Sequence, residues 1–300
     1  MILALQILIH FLCCIFLAAY VSLMERKLIA RIQWRIGPNN CGVAGIFQPI
    51  ADALKLIFKQ SPFETHSKQA ITGVLLLFTI SLCQLTLIPL SKDVFNPKNE
   101  ILLIILCHCL MVFSEILIGT ASRSKYGIIG GNRAYIQSIS GHITFILAMI
   151  VIMFLSNSMN LTDFITAEKD SLFVLKCIPL AFILFIVLLI TGNRTPFDFT
   201  EAESELVCGA YVEYGGILFG LIYLSDYLNV LFISALFATL FLGGFAGYLF
   251  PTTIELPLKS LLIVATIILI RAMLPRYTQE KMIKISWIIL APILFSSILF

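Results

Sequence analysis

Charge is what this sequence has least of. Asp, Glu, Lys and Arg make up 12% of its 300 residues, against 59% hydrophobic residues and a mean hydropathy of +1.00. A globular domain carries about 25% charged residues. The chain therefore lacks the charge to coat a water-facing surface, and lipid must be much of its solvent. The eight cysteines, at 13, 14, 41, 83, 107, 109, 177 and 208, include no C-x-x-C pair. That spacing argues against a zinc site or an iron–sulfur cluster, and no small secreted scaffold surrounds it to suggest a disulfide framework. They read as small packing residues. No Gly-rich dinucleotide fingerprint occurs. No internal repeat is visible either, which counts against transporters built from inverted repeats. The net charge of +3 is too small to argue for a nucleic-acid partner.

What is present is a series of long apolar runs, roughly 2–24, 70–90, 100–121, 136–155, 174–191, 211–249, 258–274 and 285–300. A membrane-spanning helix needs about 20 such residues, so the expected fold is an all-α integral membrane protein. It is read as one membrane domain over 1–300, a bundle of about eight transmembrane helices with long charged inner loops. No basic region precedes the first run, and Glu25-Arg26-Lys27 follow it, which reads as a retained anchor. The sixth run would be roughly 58 Å long as one helix, and its length argues for two crossings. Charge argues for one. With a single crossing and both termini outside, the inner loops 25–69, 122–135, 192–210 and 271–284 hold fifteen of the twenty Lys and Arg, as the positive-inside rule prefers. The expectation is one element, tilted or broken near Ser225.

Two loops are unusual. In 25–69, the turn signal Gly37-Pro38-Asn39 precedes Phe47–Lys59, where apolar residues recur at helical spacing with Asp52, Lys55 and Lys59 on another face. This predicts an amphipathic helix at the membrane surface. The loop 192–210 is acidic. Pro196 ends the preceding helix, and Thr200 with Glu203 forms a capping-box pattern. On the helix so begun, Glu201 and Glu205 fall one turn apart and Glu213 two turns beyond. Neighbouring carboxylates titrate as a linked set, and ionisable groups at membrane depth are functional candidates. Glu115, His108 and His142 are further polar residues inside apolar runs; a lone histidine there is more often packed and hydrogen-bonded than a metal ligand.

Two long motifs carry a resemblance. One is Met24-Glu25-Arg26-Lys27 through Arg35-Ile36-Gly37-Pro38-Asn39, with Gln48-Pro49-Ile50-Ala51-Asp52-Ala53-Leu54-Lys55-Leu56. The other is Asn193-Arg194-Thr195-Pro196-Phe197-Asp198 with Glu201-Ala202-Glu203-Ser204-Glu205-Leu206-Val207 and Glu213-Tyr214. Together with Arg271 and Pro275-Arg276-Tyr277, they resemble the family of subunit 1, and its bacterial counterpart, of the proton-pumping NADH:quinone oxidoreductase, respiratory complex I, over nearly the whole chain. The resemblance implies a subunit that is not catalytic alone. It would anchor a peripheral arm carrying NADH, flavin and iron–sulfur clusters, with ubiquinone as substrate and neighbouring membrane-arm subunits and lipid as partners. It implies a quinone chamber bordered by Glu25, Arg26, Arg35, Phe47, Asp52, Glu201, Glu203, Arg271 and Arg276. It also implies a proton path through Asp198, Glu201, Glu203, Glu205 and Glu213. The chain departs from the family pattern at His142, Thr191 and Gln60, where glutamates are usual, and at Thr278. Because imidazole titrates near neutral pH, His142 is a substitute proton carrier. The implied location is the mitochondrial inner membrane, with a bacterial plasma membrane as the alternative. Two other readings stay open: the related membrane subunit of an energy-converting hydrogenase, which shares the carboxylate loop, and a stand-alone ion transporter.

Overall fold

The computed structural model describes residues 2–59, 68–90, 97–122, 124–168, 172–200, 203–246 and 252–299. Among them the regular structure is entirely helical, and an apolar solvent explains why. Lipid offers no partner for a backbone N–H or C=O, and a helix satisfies both within one segment. Hydroxyls inside the apolar helices follow the same rule. Ser81, Ser114, Thr144, Ser225 and Ser234 each donate to a carbonyl one turn back.

Among the described residues, six helices are long and apolar enough to cross a membrane. They are α1 (Ile2–Ile32), α3 (Lys68–Thr86), α4 (Glu100–Ala121), α5 (Lys125–Ser156), α10 (Gly216–Phe241) and α11 (Thr252–Met273). The expected seventh and eighth are shorter. The run at 174–191 divides into α7 (Phe173–Lys176) and α8 (Ile178–Thr191), with Pro179 opening α8. Its 14 residues span roughly 21 Å. At the C-terminus α12 (Gln279–Lys284) leads through a π-helical stretch, Ile285–Leu290, into α13 (Ala291–Leu299). The short helices are α2 (Gln48–Phe58), α6 (Leu161–Ala167) and α9 (Glu203–Leu206).

Several boundaries differ from expectation. Helix α1 continues past Glu25-Arg26-Lys27 to Ile32, so the first loop begins later than residue 25. Most of 122–135 is the start of α5, capped by the Ser124 hydroxyl, which accepts from Gly127 N at 3.0 Å. The sixth run is one helix, unbroken at Ser225, whose hydroxyl donates to Ile222 O at 2.6 Å. Its first residues, 211–215, lie outside that helix and hold a turn.

Helix α3 packs on α4, α4 on α5, and α10 on α3, α11 and α1. Gly119 and Gly131 let α4 and α5 meet backbone to backbone: a Cβ on Gly131 would lie 2.9 Å from the Gly119 Cα. Small residues at such crossings supply the close packing that holds helices together in lipid. Polar contacts tie the loops at each end. At one end, the charged end, Glu25 pairs with Arg271 and Asp198 with Arg276. At the opposite end Glu100 accepts from Leu161 N at 2.7 Å, and the Lys259 ammonium donates to Leu242 O at 2.6 Å.

Candidate functional site

The charged end is where predicted site residues converge. Arg26, near the end of α1, donates to Asp52 of α2 at 2.7 Å, and Gln48 holds the other Asp52 oxygen at 2.9 Å. Glu25, one residue earlier, is buried and turned the other way, onto Arg271 at the end of α11. Consecutive residues on a helix point about 100° apart, so one turn of α1 reaches two neighbours. Tyr223 of α10 lines the same cavities as Arg26, and its hydroxyl lies 3.1 Å from that of Tyr227, one turn on. The Arg194 guanidinium stands over the Tyr227 ring, 5.0 Å from its centre.

Around this network lie adjoining cavities. One, of about 290 Å³, is apolar and runs between α1, α2 and α10, lined by Ala18, Ser22, Pro49, Leu56, Gly220 and Tyr227 among others. It shares Asp52 and Tyr223 with a second cavity of about 450 Å³, which adds Arg26, Lys55, Lys59 and Tyr214. A third, of about 420 Å³, is lined by Glu25, Arg26, Arg35, Tyr223, Tyr227 and Arg271. A small fourth, of about 20 Å³, joins Arg271 to Asn193, Arg194, Asp198 and Asp226. An apolar channel thus opens onto a charged vestibule, with a tyrosine pair at the junction. The amphipathic face of α2 makes one wall: Leu56 turns toward Gly220 of α10, where a Cβ would meet its Cδ1 at 3.2 Å.

Other predicted residues are placed differently. Arg276 pairs with Asp198 at 2.9 Å and Tyr277 N donates to Pro196 O at 3.0 Å, so the 271–284 segment is laced to the Asn193–Asp198 loop. Gln137 completes that clamp, donating to Ile190 O at 2.8 Å and Phe197 O at 2.7 Å. Phe47 is exposed at the start of α2, beside Gly42, and lines none of these four cavities. Glu201, Gln60 and the side chain of Glu203 lie outside the described residues.

The expected glutamate row does not run on one helix as far as Glu213. Helix α9 (Glu203–Leu206) ends at Leu206, and Val207 and Gly209 beyond it take left-handed φ values of 68° and 54°. The backbone turns there, and Glu213 is exposed in the short stretch before α10, off helix α9. Glu205 is exposed too and pairs with Arg133 of α5. Beside Glu213, Tyr214 is buried and donates to Ile118 O at 2.9 Å. Burial first, then the neighbouring Glu213 charge, push its hydroxyl up to about 12. Tyr214 therefore stays protonated at neutral pH and serves as a fixed donor.

Tyr223 and Tyr227 both line these cavities, and the sequence reading did not single them out. Their signal was available: two tyrosines one turn apart, flanking Asp226 in an otherwise apolar run. His142 lies away from this network, in a separate buried group with His108 and Glu115.

The family profile described as NADH dehydrogenase matches residues 5–300. The chain is 37% identical to NADH-ubiquinone oxidoreductase chain 1 of Bradypus variegatus over 273 residues, covering 90% of this chain and 86% of the relative. It is 33% identical to a NADH-quinone oxidoreductase subunit of Magnetococcus marinus over 288 residues, covering 93% and 84%. It is 36% identical to NADH-ubiquinone oxidoreductase chain 1 of Cyanidium caldarium over 286 residues, covering 92% and 83%. A match over nearly the full length, reaching mitochondrial-type and bacterial relatives alike, makes this chain a member of the NADH dehydrogenase family.

Proposed function

We propose that this chain is the quinone-access subunit of a membrane-bound NADH:quinone oxidoreductase, the complex that its relatives' names describe. In that role it anchors the redox arm through its charged end and begins the path that couples quinone reduction to proton movement. The observation that carries the reading is the apolar channel between α1, α2 and α10 leading to the Arg26–Asp52 and Glu25–Arg271 pairs. A quinone has an apolar tail and a polar head, and a channel apolar along its length and charged at one end suits both parts. The tail lies against Ala18, Leu56 and Gly220, and the head meets Tyr223, Tyr227 and Arg26. Electrons come from a partner, and reduction at the head builds negative charge. Preplaced cations stabilise such charge where it develops, and Arg26, Arg35 and Arg271 stand at the vestibule. Asp198, with Oδ2 on Arg276 and Oδ1 buried without a hydrogen-bond partner, is placed to take up a change of charge and pass it on. Glu205 and Glu213 belong to the same response at the exposed surface, and Glu201 and Glu203 belong with them by resemblance. The membrane is the mitochondrial inner membrane or its bacterial counterpart.

The test is subunit identification by mass spectrometry on the native, detergent-solubilised assembly, joined to an assay of quinone reduction by NADH. Flavin and iron–sulfur partners with NADH-driven quinone reduction are expected. Hydrogenase partners, or a chain that migrates alone as a transporter would, contradict the reading.

A further inference from the structure

Away from the vestibule, α4, α5 and the end of α8 with its following loop bury polar groups around a small cavity of about 10 Å³, a volume that holds one water molecule. Its walls include Glu115 and His108 of α4, Ser138 and His142 of α5, Thr191 at the end of α8 and Asn193 just beyond it. Glu115 is buried, and its carboxylate accepts from the Asn193 amide at 2.9 Å. His108 is 1% exposed and packs edge-on against His142 with ring centres 4.7 Å apart. Behind it Gln84 of α3 donates to His108 Nδ1 at 3.2 Å. Phe145 and Phe232 close the apolar sides. The Nε2 atoms of both histidines, and Gln84 Oε1, are buried without a hydrogen-bond partner. Buried polar atoms are almost always satisfied, so two orphans on residues lining one cavity, with a third on the Gln84 amide behind them, call for an explanation. A metal does not supply one: among the described residues no group of three or more His, Cys, Asp or Glu is close enough to hold an ion.

We infer that Glu115, His142 and His108 form a proton-carrying row inside the membrane, with the cavity water as the link between the carboxyl and the first imidazole. Glu115, as the acid, gives its proton to the water, which gives one of its own to Nε2 of His142; a carboxylate and an imidazolium result, and no electrons move. For the second step the Gln84 amide turns so that Oε1 accepts from His108 Nδ1–H, which satisfies that orphan and leaves the His108 Nε2 lone pair free to take the proton from the His142 imidazolium as the two touching rings rotate. Only one imidazole carries the charge at a time, because the rings are in contact. Glu115 and His108 are seven residues apart on α4, roughly 10 Å along its axis. The row runs from Asn193 in the loop at the charged end to Gln84 in the last turn of α3. The inference rests on the quinone-reductase reading, since a proton row needs a reaction to drive it.

Two variants of the whole assembly test it. Glu115→Gln keeps the acceptor for Asn193 and removes the exchangeable proton; His142→Asn keeps a polar side chain and removes the ring. In each, protons moved per quinone reduced are expected to fall severalfold. Redox-induced infrared difference spectra of the unaltered assembly are expected to contain a carboxyl band that Glu115→Gln abolishes, a signature that a purely structural role would not produce. Full proton coupling in both variants, or an infrared spectrum unchanged by Glu115→Gln, overturns the inference. Absence of NADH-driven quinone reduction in the unaltered assembly overturns the proposed function itself, which separates the two failures.

Discussion

Single residues at the charged end differ in what their loss costs, and exposure decides how. The Arg26–Asp52 pair is 42% and 36% exposed. An ion pair in water contributes about 0–1 kcal/mol, so Asp52→Asn is expected to leave thermal unfolding of the solubilised assembly nearly unchanged while raising KM for quinone. Glu25 is different, with its side chain 8% exposed against Arg271. Arg271→Ala leaves that carboxylate without its cation, and an unsatisfied buried group costs about 1–3 kcal/mol. A lowered unfolding temperature is expected for Arg271→Ala, and equal stability in both variants contradicts this division. Arg26, Arg35, Asp52 and Arg271 were legible through the motifs and single residues that carry the family resemblance. Tyr223 and Tyr227 were not, because an aromatic in an apolar run looks like packing until its hydroxyl is placed. The helix end before Glu213 was not legible either: Val207 takes a left-handed φ of 68°, a conformation that a β-branched residue rarely adopts.

Elements were legible where the apolar run was long and uninterrupted. Helices α3, α4 and α11 lie close to the runs that announced them. Boundaries failed where a helix continues beyond lipid: α1 carries Glu25, Arg26, Lys27 and Arg31 on its last turns, and α5 starts at Lys125. Composition marks the edge of the membrane and not the end of the hydrogen-bond ladder. Two crossings are tight enough to test. Gly131→Val drives a side chain into the Gly119 backbone, and overpacking of this kind costs about 1–3 kcal/mol; a lower unfolding temperature is expected, and an unchanged one contradicts the close approach of α4 and α5. Gly220 faces Leu56 across the apolar channel. Gly220→Val narrows that channel, so KM is expected to rise more for a long-tailed quinone than for a short-tailed one. An equal rise for both means that the tail does not lie there.

On the scale of the whole molecule, the division between an apolar bundle and one charged end follows from the same scarcity of charge. Having few charges, the chain gathers them where α1, α2, α10 and α11 meet, and the cavities follow from their placement. The count of crossings was the least legible feature. Charge bias favoured one crossing over the sixth run, and a single unbroken α10 is found there. Among the described residues six helices meet the length for a span, because Pro179 shortens α8 and the C-terminal helix is built of three pieces. His142 and Thr191, two positions at which the chain departs from its family's pattern, line one cavity with Glu115; that meeting depends on how α4, α5 and α8 pack and has no signature along the sequence.

The central claim is that quinone occupies the channel between α1, α2 and α10. A photoreactive quinone, activated in the native assembly and located by peptide mass spectrometry, tests it most directly. Labels are expected within 18–22, 49–57 and 217–227, and are expected to be displaced by unlabelled quinone. Displaceable labelling confined to other segments or other subunits, in an assembly that still reduces quinone, would contradict the account.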